Sequence, residues 1–161
     1  MDIYSCISLT IIPAIILPFG AYIITQKSLY ILVFICIFVV FFTSEIFKKI
    51  FSILQSNNTL FYRPIGSQNC GLFNQYSMPN SPAFPSSHVS IITFVSIVMI
   101  WFLFPTSFIA WIIIIGYNIL IGISRYKKKC HNLFQIICGA IYGILCALIF
   151  IYIYKNLYKF S

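Results

Sequence analysis

The chain has 161 residues, of which 61% are hydrophobic, 19% aromatic and only 7% charged, and its formal net charge is +8. A soluble domain of this size cannot bury so large an apolar fraction, so lipid must act as solvent for most of it. The basic residues flank apolar runs and accompany no recognition fold, which argues against a nucleic-acid partner.

A hydrocarbon core about 30 Å thick needs about 20 apolar residues per helix, and about five stretches fit: residues 7–25, 29–47, 88–104, 107–124 and 132–154. All ten Lys and Arg residues fall outside these stretches or at their ends, and Asp2 and Glu45 also lie near ends. The predicted fold is therefore an all-α, multi-pass transmembrane helical bundle, as one membrane-embedded domain over residues 1–161. The first span begins too close to the N-terminus, with too little positive charge before it, for a cleaved signal peptide, and is read as retained. Residues 48–87 are rich in Asn, Pro, Ser and Gly, including Asn57-Asn58 and Met78-Pro79-Asn80-Ser81-Pro82, and read as irregular structure. The third span is the shortest, and Phe104-Pro105-Thr106-Ser107 links it tightly to the fourth, so 88–124 also reads as one bent hairpin. In the last span Gly139, Gly143 and Ala147 recur every four residues, a stripe that lets a neighbouring helix approach closely.

Three polar clusters interrupt this pattern: Arg63-Pro64, Pro85-Ser86-Ser87-His88, and Ser124-Arg125 followed by His131 and Gln135. If the chain crosses at each span, all three emerge on one membrane face. Arg63 and Arg125 offer planar forks of donors that match two phosphate oxygens. Ser86 and Ser87, after Pro85 at a helix start, supply hydroxyls and N–H groups where the helix dipole favours an anion, although the same segment also reads as a plain helix cap. His131 and Gln135 stand four residues apart on one helix face, so the amide oxygen can fix the imidazole tautomer and leave a reactive lone pair. His88 is the only other histidine. Two histidines without clustered carboxylates do not make a hydrolytic metal centre, and no cofactor is expected.

These blocks resemble the type 2 phosphatidic acid phosphatase superfamily, whose pattern is Lys, six residues, Arg-Pro; then Pro-Ser-Gly-His; then Ser-Arg, five residues, His, three residues, Asp. The motif-bearing region is 56–135, and the internal spacing of the third block is intact. Ser87 and Gln135, at the motif's Gly and Asp positions, are most similar to the dolichyl pyrophosphate phosphatases. The resemblance implies a membrane phosphatase acting on a polyprenyl pyrophosphate or related lipid phosphate, with His131 as nucleophile and His88 as acid. Arg63, Ser86, Ser87, Ser124 and Arg125 would bind phosphate. It also implies an endoplasmic reticulum membrane for the dolichyl type. Ser56 stands where the superfamily has its lysine, with Lys48 and Lys49 further back, and the segment Asn80 to Phe84 separates Met78-Pro79 from the Pro-Ser-Ser-His block. The departures at Ser56 and Gln135 also fit a catalytically inactive relative that binds lipid or a membrane partner.

Orientation is left open by the residues. Lys48, Lys49, Arg63, Arg125 and Lys127 to Lys129 lie on the site face, against Lys27, Lys155 and Lys159 opposite, so the positive-inside rule points that face to the cytosol. The resemblance implies a lumenal or external face instead. Cys70 and Cys130 alone among six cysteines lie near that face outside the apolar runs, and either pair there or remain free thiols. Nothing in the residues specifies an oligomeric state.

Overall fold

The computed structural model describes residues 3–54, 59–67, 69–71 and 81–158. Ser56, Asn57-Asn58 and Met78 to Asn80 lie outside them. The described residues form an all-α bundle: α1 (Ile3–Leu9), α2 (Ile11–Thr25), α3 (Ser28–Leu54), α4 (Ser87–Leu103), α5 (Phe108–Lys127) and α6 (Leu133–Leu157), with a short 3-10 turn at Thr59–Phe61. Among the described residues four stretches are long and apolar enough to cross a membrane: Ile3–Thr25, Ser28–Leu54, Phe108–Lys127 and Leu133–Leu157. The fifth, α4, is 17 residues long and is the centre of the bundle, with twelve residues buried, among them Val89, Ile91, Phe94 and Val98. Its apolar residues meet Val33, Ile37, Ala147 and Phe150 from its neighbours, so α4 is enclosed by protein more than by lipid.

Two boundaries differ from the sequence expectation. The first span is broken at Thr10 into α1 and α2. Pro13 has no N–H to give to the carbonyl four residues back, which ends the ladder there. The second span continues through Leu54, well past position 47, because Ile50, Phe51, Ile53 and Leu54 extend the apolar pattern beyond Lys48 and Lys49.

Close packing of α4 on α6 follows from the glycine stripe. A Cβ at Gly139 would stand 2.8 Å from the Ser86 carbonyl, and one at Gly143 only 2.5 Å from that of Ser90. Phe51, Phe61, Phe84 and Phe134 form an aromatic box with ring centroids 4.7 to 6.1 Å apart. The box fastens the end of α3, the 3-10 turn, the lead into α4 and the start of α6 to one another. Backbone bonds from Arg63 N–H to Ser81 and from Ala83 N–H to Phe61 complete the attachment of this segment beside the α4 N-terminus.

Candidate functional site

A polar pocket of about 240 Å³ opens at this end of the bundle, lined by Phe41, Glu45, Lys48, Arg63, Cys70, Gly71, Ser87, His88 and His131. Four long-range elements therefore meet: α3, the Arg63 segment, the start of α4 and the α5–α6 turn.

His131 lies just before α6, and its Nδ1 is 3.1 Å from Gln135 Oε1. Gln135 is fully buried, and its Nε2 donates to the carbonyls of Leu60 and Tyr62 at 2.7 and 2.9 Å. That orientation leaves Oε1 as the acceptor, so Nδ1 of His131 carries the proton and Nε2 keeps its lone pair. The turn is shaped by a capping box: Gln135 N–H donates to Asn132 Oδ1 while Asn132 N–H donates to Gln135 Oε1. Burial, then Arg125, Arg63 and Lys48, push the His131 pKa well below its usual 6.5, against an opposing contribution from Gln135. The imidazole is thus neutral.

His88 occupies the first turn of α4, is 4% exposed, and its Nε2 has no protein partner. Beside it, Ser87 Oγ accepts from Lys48 Nζ at 2.6 Å and from Ser44, and donates to Glu45. Lys48 also pairs with Glu45. Lys48 and Glu45 also line the pocket, and neither belongs to any of the three polar clusters of the sequence. The available signal was the three-residue spacing of Glu45 and Lys48 inside an apolar pattern that persists to Leu54. Position 56 has no lysine, and Lys48 brings a cation to the pocket from α3 instead.

The other expected residues are distributed unequally. Arg63 lines the pocket, with Nε on Ser81 Oγ at 2.8 Å and Nη1 at 3.5 Å from the Cys130 carbonyl. Burial lowers its pKa, Glu45 opposes this, and a guanidinium so far above neutrality stays charged. Arg125 lies behind the pocket wall, fully buried, donating to the Cys70 carbonyl at 2.7 Å and to Ser8 at 3.3 Å, while its Nε has no partner. Ser86 is a buried α4 N-cap whose N–H is taken by the Gln135 carbonyl and whose hydroxyl has no partner. Ser124 turns away from the pocket toward α1, bonding Ser8 and the Tyr4 carbonyl.

Charge is unbalanced here. Glu45 is the only acidic side chain among the described residues, against Lys48, Arg63 and Arg125 at or behind the pocket. A buried charge without a counter-ion costs several kcal/mol, so this cluster is suited to an anion. Among the described residues no three His, Cys, Asp or Glu side chains converge as metal ligands.

Behind α4 a second, apolar groove of about 710 Å³ runs between α5 and α6, bordered by Val89, Thr93, Asn118, Tyr126, Leu133 and Ala140 among others. Val89 follows His88, Tyr126 follows Arg125, and Leu133 lies two residues past His131.

The sequence profile of the PAP2 superfamily matches residues 28–159, which spans α3 to α6 and every residue lining the polar pocket. No curated protein and no solved structure matches the chain.

Proposed function

Because the chain belongs to the PAP2 superfamily, we propose that it is an integral membrane phosphatase that hydrolyses a polyprenyl (dolichyl-type) pyrophosphate or related lipid phosphate through a phosphohistidine. The observation that carries this reading is a neutral, tautomer-fixed His131 and an unpartnered His88 Nε2 sharing one pocket with Lys48 and Arg63.

His131 Nε2 attacks phosphorus, an N–P bond forms, and the bond to the leaving oxygen breaks with its electron pair on that oxygen. His88 supplies the proton the leaving group takes. Water then attacks phosphorus, the N–P bond breaks, the water proton passes to His88, and inorganic phosphate departs. Lys48 and Arg63 hold the equatorial oxygens as charge develops, and Arg125 adds a fixed positive field from behind the wall. Ser87 relays position from Glu45 to the α4 N-terminus, where backbone N–H groups also favour an anion. A lipid substrate has a place for its chain in the apolar groove, whose upper end adjoins the helix turns that carry both histidines.

The test is incubation of the purified protein in detergent with labelled polyprenyl pyrophosphate and labelled phosphatidic acid, with and without excess chelator, followed by acid-labile phosphoenzyme trapping. Label on His131 with phosphate release supports the reading. Tight binding of lipid without any phosphoenzyme would instead make the chain a binding relative.

A further inference from the structure

We propose that the Cys70–Cys130 disulfide is a positioning element of the phosphoryl-transfer pocket, so that turnover requires the bridge to be oxidised. The inference rests on the phosphatase reading above.

The bridge joins residues 60 apart in sequence, and both ends belong to the pocket's frame. Cys70 lines the pocket, and its carbonyl takes the 2.7 Å bond from Arg125. Cys130 immediately precedes His131, and the N–H groups of both residues turn back to the Arg125 carbonyl at 3.0 and 3.4 Å. Arg63 reaches the Cys130 carbonyl at 3.5 Å. The nucleophile and both arginines are thus each one contact or one residue from a half-cystine.

Gly66, Ser67 and residues 69–71 have no helix of their own. Besides the bridge, the Arg125 bond and a 3.1 Å bond from Lys128 Nζ to the Asn69 carbonyl hold this segment to the α5–α6 turn. Hydrogen bonds from charged donors, worth about 1.5 to 3 kcal/mol each, open and close freely, whereas a covalent link does not. Both half-cystines are buried, at 3% and 0% exposure. Cys6, Cys36, Cys138 and Cys146 are free, so this is the one disulfide of the six cysteines.

Formation of the bridge removes one proton and one electron from each thiol and passes them to a disulfide oxidant, which leaves as two thiols. Dithiothreitol reverses this, taking up the sulfur–sulfur bond as its own cyclic disulfide. Such a bridge persists in an oxidising compartment, which sets the pocket on the lumenal or external face. The positive-inside count for this face is then misleading for a physical reason: Lys48, Arg63, Arg125 and Lys128 are engaged at the pocket or in fastening its loop, and so do not report topology.

The experiment compares the full-length protein in detergent when oxidised, when reduced by dithiothreitol, and as the Cys70→Ser/Cys130→Ser variant. Burst amplitude counts folded, competent sites, and burst rate reads phosphoenzyme formation at each site. Loss of nucleophile placement should lower the burst rate about tenfold or more while KM changes less than about threefold, with recovery on reoxidation. A bridge that merely holds the fold together would lower the amplitude or the melting temperature and leave the rate alone. An unchanged rate with two additional thiols titrated, or in a folded double variant, overturns the inference. Absence of both phosphate release and a trapped phosphoenzyme in the oxidised protein overturns it together with the phosphatase reading.

Discussion

His131 and Gln135 form a matched pair because a third party fixes the amide: with Nε2 committed to the carbonyls of Leu60 and Tyr62, Gln135 can offer His131 only its oxygen, 3.1 Å from Nδ1. A carboxylate could hold the same imidazole, but it would set a second oxygen against two backbone carbonyls. Gln135→Glu should therefore lose about 1 to 3 kcal/mol of stability and slow phosphoenzyme formation. Gln135→Asp, which restores the residue more usual in the superfamily, should not raise activity. Thermal unfolding and burst kinetics check both, and a carboxylate variant faster than the parent protein would reject this account of the amide.

Lys48 is expected to supply the cation that position 56 lacks. Lys48→Met should reduce kcat/KM by about 100-fold or more, the usual consequence of removing one preorganised donor from a developing phosphoryl charge. Lys49→Met, an exposed neighbour on the same helix, should have little effect. Steady-state kinetics on purified variants separates the two, and equal losses from both would point to a general charge effect.

Much of this arrangement was legible in the sequence because it depends on local spacing and bulk hydropathy. The His131–Gln135 pair follows from a four-residue interval, and the meeting of the three clusters follows from counting crossings. What escaped depends on partners distant in the chain. That Lys48 faces the pocket depends on Ser87, 39 residues on, and on Glu45 beside it. The direction of Ser124 is set by Ser8, 116 residues away, and no motif spacing encodes it. Arg125 has the residue type of a clamp, yet the Cys70 carbonyl draws it behind the wall.

The pH dependence follows from His131. Its folded pKa lies well below 6.5, so near and below that pH the unfolded chain binds a proton that the folded one does not. Its contribution to stability is therefore complete above about pH 6.5 and is lost progressively as pH falls toward the folded pKa. For activity the neutral nucleophile persists, and the acidic limb of kcat/KM should lie well below pH 6.5 once substrate titration is subtracted. A limb due to His131, identified by its removal or shift in variants at Gln135, that centres at 6.5 or above would contradict this.

Gly143 permits a backbone contact that no side chain can share. Its added Cβ would lie 2.5 Å from the Ser90 carbonyl and 2.9 Å from Thr93 Cβ, so Gly143→Ala must push α6 from α4. A cost of about 1 to 3 kcal/mol is expected, with lost activity because Ser86, one turn from Ser90, and Gln135, about two turns from Gly143, bridge the same two helices. Gly20→Ala, with nothing within 4 Å of the new Cβ, serves as the control in unfolding experiments.

The apolar groove makes chain length a diagnostic. From Trp111 to Tyr126 its α5 wall rises roughly 22 Å, enough to follow a lipid chain through most of one leaflet and beyond. Ala140 borders it from α6 and is partly buried, so Ala140→Phe adds bulk to the groove while leaving the polar pocket's lining intact. If the groove holds the substrate's hydrocarbon, this variant should raise KM for a long polyprenyl pyrophosphate by about tenfold, the effect of forfeiting about 1.4 kcal/mol of chain contact. A short-chain, water-soluble pyrophosphate should be hydrolysed at the parental rate. Equal impairment of both substrates would mean that the substitution distorts the bundle. Parental kinetics on both would place the chain elsewhere, with the histidine pocket still able to cleave it.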